Sequence, residues 1–143
     1  MPDARLILFH KQSTSARIRF LKLDHGGVCG FDPIPMPAAL MDDGDERAVE
    51  TGAVVLHPAT LVADAERRLG LAAGGLEMDG DFHEWVDVPG GPIQVYLAHF
   101  TATDPPFDEM AALGAAFIEF TEARGLSNVD LQLLREVYEY AIG

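Results

Sequence analysis

A chain of 143 residues, 48% hydrophobic and 23% charged, has the size and composition of one globular domain spanning residues 1–143, which excludes a disordered chain and a multi-span membrane protein. Acids outnumber bases 23 to 10, and only Lys11 and Lys22 are lysines; the resulting net charge of −13 repels phosphate and excludes nucleic acid and anionic membrane as expected partners. A single cysteine, Cys29, excludes an internal disulfide framework, and the apolar run at residues 6–9 is too short for a signal peptide or a membrane span, so a reducing, cytoplasmic location is expected.

Residues 5–10 and 16–23 read as two strands, the second alternating Arg17, Ile18, Arg19, Phe20 with the period of a half-buried strand, and together they predict an antiparallel hairpin. Residues 24–52 lose the pattern. Glycines, the prolines Pro33, Pro35 and Pro37, and the acids Asp42, Asp43, Asp45 and Glu46 predict a long irregular acidic loop in which a short helix can hide. Residues 53–57 read as a buried strand. Pro58 then opens a helix through about Leu69, with Leu61, Val62, Ala65 and Leu69 inward and Gly70 as its stop.

Residues 82–88 and 93–101 flank Pro89-Gly90-Gly91-Pro92 and predict a second hairpin. With Val88 opposite Ile93, Val86 faces Val95 and Phe82 faces His99 on one side. On the other, Asp87 faces Gln94, Trp85 faces Tyr96 and His83 faces Ala98. Asp104-Pro105-Pro106 predicts the start of a helix that runs to Gly125 and carries Met110, Leu113, Gly114, Phe117, Phe120 and Thr121 on one stripe. Ser127 and Asp130 cap a last helix with Leu131, Leu134, Val137, Tyr138, Ala141 and Ile142 inward. The sum is an α+β domain: an antiparallel sheet with helices mainly on one face and a C-terminal antiparallel helix pair.

The candidate ligand-binding patch is His83, Trp85 and Tyr96, an aromatic surface able to receive a planar ligand unless a helix covers it, as happens to most aromatic pairs on sheets. His25, Cys29 and Asp32 form a weaker alternative, because imidazole, thiolate and carboxylate can ligate a transition metal. Their spacing matches no ligand signature, and a glycine-rich turn with a small buried cysteine accounts for the same residues. His10, His57 and His99 fall near strands, where a structural histidine is the usual occupant. The acids at 42–46 lack the spacing of a calcium loop. No phosphate-binding loop, dinucleotide fingerprint, nucleophile elbow or His-Glu-x-x-His helix occurs.

The expectation is therefore a non-catalytic binding or accessory protein with no cofactor and no assigned catalytic residue. Apolar residues on both hairpin faces favour a homodimer, and a protein partner is open. The alternative is a small metal-dependent or hydrolytic enzyme whose site joins the 24–52 loop to the 82–101 hairpin, drawing on His25, Cys29, His57, His83 and His99. Few lysines and abundant alanine, glycine and arginine suggest a GC-rich bacterial origin.

Overall fold

The computed structural model describes residues 3–12, 17–41, 58–89 and 91–142. The expected strand at 53–57, the acidic cluster at 42–46 and His57 lie outside the described residues, as does the His83 side chain. Among the described residues six strands form one sheet: β1 (Asp3–Lys11), β2 (Ile18–Lys22), β3 (Ala39–Leu40), β4 (Leu76–Val88), β5 (Gly91–Phe100) and β6 (Ala116–Ile118), in the order β3-β4-β5-β1-β2-β6. All neighbours are antiparallel except β1 and β5, which run parallel from Asp3↔Ile93 to Phe9↔His99. The α-helices among the described residues are α1 (Pro58–Arg68), α2 (Phe107–Ala111) and α3 (Asn128–Ile142). The fold is mixed α+β, as expected, and no helix among the described residues is long and apolar enough to cross a membrane.

The β1 to β2 hairpin forms as the alternation predicts, with Phe9 opposite Phe20. Helix α1 starts at Pro58, buries Ala65, and stops before buried Leu69 and Gly70, the latter at φ +70°, a backbone angle that glycine adopts without a Cβ clash. The second hairpin also forms, but two residues out of the expected register. Val88 pairs with Gly91, Val86 with Ile93, Trp85 with Gln94 and His83 with Tyr96. A chain reversal at Pro89 tighter than the expected four-residue loop sets this register, and β4 absorbs the surplus as a bulge between Met78 and His83.

Helices lie on both faces of the sheet, which corrects the expected one-sided packing. Ile7, Phe9, Phe20, Val95 and Leu97 point to α3, where Val129, Leu133, Leu134 and Val137 are buried against them. Leu6, Leu8, Leu21, Ala98 and Phe100 point the other way, into a second core with Ala65 of α1, Leu69 just after it and Met110 of α2. The cause is the central β1 to β5 pair, apolar on alternate residues and on both faces, which must be covered twice. The two apolar hairpin faces that argue for a dimer in the sequence are thus covered by the chain's own helices.

The C-terminal helix pair is also corrected. The helix expected to reach Gly125 ends after five residues at Ala111, and Gly114, at φ +78°, turns the chain while the Ala115 N–H returns to the Met110 carbonyl at 3.0 Å. The chain then forms edge strand β6, because Phe117 and Ile118 serve opposite faces. Phe117 meets Phe100 and Phe107 edge-on, with ring centroids 5.2 and 5.5 Å away, while Ile118 pairs with Phe20 and joins the α3 core. A 3₁₀ turn (Phe120–Gly125) leads into α3.

Gly114→Ala, forced into the left-handed region with its Cβ 3.1 Å from the Asp24 Cβ, is expected to cost about 1–2 kcal/mol by urea denaturation. Gly125→Ala, where the Cβ meets open space, is expected to be neutral or to stabilise by up to about 1 kcal/mol.

Candidate functional site

The segment after β2 folds back through glycine. The Leu23 N–H donates to the Gly27 carbonyl at 2.8 Å, Gly26 takes φ +92°, Gly30 takes φ +84°, and Cys29 bridges to Ile7 of the central strand. His25 holds this turn with both ring nitrogens. Its Nε2 lies 2.9 Å from the Gly30 carbonyl, which only accepts, and its Nδ1 lies 3.2 Å from the Gly27 amide, which only donates. The pattern assigns the neutral tautomer with the proton on Nε2, and no lone pair is left for a metal.

The third member of this site comes from the far end of the chain. Ser127 caps α3, its Oγ accepting the Asp130 N–H at 3.3 Å, and this fixes the Asp130 carboxyl beside the His25 turn. Gly27 lies between them: a Cβ there would stand 2.8 Å from His25 Cε1 and 3.0 Å from Asp130 Oδ2. Asp130 is 7% exposed, and its Oδ1 is buried with no hydrogen-bond partner. Burial pushes its pKa above the usual carboxylate range, opposed by the Ser127 hydroxyl, by His25 and by the Val28 N–H. His25, Cys29, Ile34, Met36, Ser127 and Asp130 line a cleft of about 160 Å³.

Asp32 does not join them. Its carbonyl accepts from Arg5 Nη1 at 2.5 Å, in a separate cleft of about 210 Å³ where Arg68 pairs with Asp64 at 3.0 Å and lies 4.9 Å over the Phe31 ring. Two of the three suspected metal-ligating residues therefore meet, with Asp130 in the place expected of Asp32. Among the described residues no group of three or more His, Cys, Asp or Glu is placed to hold a metal. The capping pattern Ser127-x-x-Asp130 was visible in the sequence, but nothing in it linked α3 to the glycine turn about a hundred residues earlier.

The aromatic patch sits elsewhere than on the surface. Trp85 is 1% exposed and Tyr96 8%, and burial raises the Tyr96 pKa. Trp85 Nε1 and Gln94 Oε1, on paired residues, are both buried without a partner. His10 Nε2 donates to the Ala102 carbonyl at 2.8 Å, as a structural histidine does. His99 lies against Phe9, with Nδ1 2.8 Å from Asp79 and Nε2 3.6 Å from Glu77, so two carboxylates flank one imidazole. Tyr140 reaches Asp79 from α3 at 3.5 Å, and burial together with Asp79 and Asp81 makes its phenol a weaker acid than usual.

A groove of about 690 Å³ lies between the start of β2, the 3₁₀ turn and the outer side of α3. Tyr138 and Ile142, expected inward, are instead 40% and 55% exposed along it, because α3 seats Leu133, Leu134 and Val137 on the sheet and so turns those two outward. Phe120 packs on Tyr138 at 5.8 Å. Arg17 pairs with Glu119 at 3.0 Å across one wall, whereas Arg135 and Glu139 have no ion pair among the described residues. No family model matches the chain, and no curated protein matches it.

Because the folded state raises the Asp130 pKa, it holds that proton more tightly than the unfolded chain does. The stability this group contributes is full below the unfolded carboxylate pKa and is lost as pH rises through the higher folded value. Asp130→Asn keeps the size and removes the titration, so denaturation midpoints measured across that window should fall less steeply with pH than those of the parent; equal slopes would refute the assignment.

Proposed function

We propose that this chain is a non-catalytic accessory protein that works as a homodimer, its two copies meeting through the groove beside α3. The observation that carries this reading is a patch of balanced charge and exposed apolar surface on a molecule of net charge −13. Two copies repel each other over most of their surfaces. At the groove Arg17 and Arg135 offset Glu119 and Glu139, and Tyr138, Ile142 and Phe120 supply the apolar centre.

The patch also has the symmetry that a dimer of identical chains requires. In a two-fold contact every residue meets the same surface of its partner, so a patch must complement itself. Arg135 and Glu139 are one helical turn apart on one side of α3. Laid antiparallel about a two-fold axis midway between them, each copy presents Arg135 to Glu139 of the other, with Tyr138 and Ile142 enclosed. The non-catalytic part of the reading is supported by His25, both of whose ring nitrogens serve backbone groups.

Light scattering coupled to size exclusion should give the mass of two chains. Arg135→Glu and Glu139→Arg should each weaken the dimer at least about tenfold by placing like charges in contact, and mixing the two variants should restore it. A parent protein that stays monomeric at every concentration would overturn the proposal.

A further inference from the structure

The cleft between the glycine turn and α3 lies apart from the groove, and its chemistry is one-sided. Asp130, 7% exposed, lines it beside the apolar side chains of Ile34, Met36 and Pro33, and its Oδ1 is buried without a hydrogen-bond partner. No lysine or arginine lines it. Both ring nitrogens of His25 are engaged with backbone groups, so it has no free donor to fill the Asp130 oxygen. A buried carboxyl with apolar walls and no lysine or arginine beside it is best satisfied by a ligand carrying both a positive donor and a short hydrocarbon chain.

We propose that this cleft binds a small primary amine in its ammonium form, the Asp130 carboxylate receiving the ammonium group while Ile34 and Met36 enclose the alkyl chain. A volume of about 160 Å³ sets the size: at roughly 30 Å³ per water-sized group it takes roughly five heavy atoms. The anion that a helix N-terminus ordinarily attracts is here supplied from within α3 by Asp130 itself. The glycine turn contributes shape, since a Cβ on Gly27 would press between His25 and Asp130.

The probe is n-butylammonium, titrated into ¹⁵N-labelled protein and followed by amide shifts, with n-butanol as the neutral match. Saturable shifts at Gly27, Val28 and Asp130 are expected, with butanol at least about tenfold weaker and Asp130→Asn losing the preference. Met36→Trp, at an exposed rim position, should block the cleft while leaving the rest of the spectrum in place, so the test stands even where Asp130→Asn fails to fold. Butanol binding as well as butylammonium, unchanged binding in either variant, or no saturable shift would each overturn the proposal. Tighter binding of a blocked lysine amide than of butylammonium would also overturn it, by moving the ligand from a free amine to a side chain of a protein partner.

Discussion

The parallel pairing of β1 with β5 at the centre of the sheet is the constraint from which the remaining architecture follows. Both strands alternate apolar side chains onto both faces, with Ile7, Phe9, Val95 and Leu97 on one and Leu6, Leu8, Ala98 and Phe100 on the other. Neither face can be left in water without exposing several large side chains, each worth about 1.5–3 kcal/mol on burial. The chain meets this by sending α1 and α2 to one face and α3 to the other. A parallel pair cannot be closed by a tight turn, so everything between β1 and β5 is the connection that lets them meet.

Covering the second face with α3 has a local consequence. The helix must begin where it can lay Val129, Leu133 and Val137 along the sheet, and that puts its first turn against the glycine turn that follows β2. Asp130 is thereby buried beside His25, whose own nitrogens are committed to backbone groups that the glycine turn would otherwise leave without partners. A carboxyl at a helix start is normally favourable and exposed. Here the tertiary packing removes its water, which raises its pKa and makes the cleft electrostatically distinctive.

The same helix placement creates the groove. With Leu133, Leu134 and Val137 committed to the core, the rotation of α3 is fixed, and Tyr138 and Ile142 are turned out beside Arg135 and Glu139. Cleft and groove are thus two ends of one packing decision. The first is narrow, acidic and mostly apolar; the second is broad, balanced in charge and open. The occupants proposed for them differ accordingly, a small ammonium ion for the cleft and a second copy of the chain for the groove.

Local signals in the sequence determined the α+β class, the β1 to β2 hairpin, the span of α1 from Pro58 to its glycine stop, and the Ser127 cap of α3, because each is set by neighbouring residues through backbone sterics and short-range hydrogen bonds. His25 and Cys29 were legible as neighbours in a glycine turn for the same reason. Tertiary structure alone decided the register of the second hairpin, where a shift of two residues keeps every side chain on its face and so leaves no mark on the alternation. It decided that residues 107–118 break into a short helix and an edge strand, since Phe117 and Ile118 bury on opposite faces only when extended. And it decided that Asp130, not Asp32, meets His25: which distant carboxyl reaches a turn depends on how a helix packs across a sheet, and no local spacing encodes that.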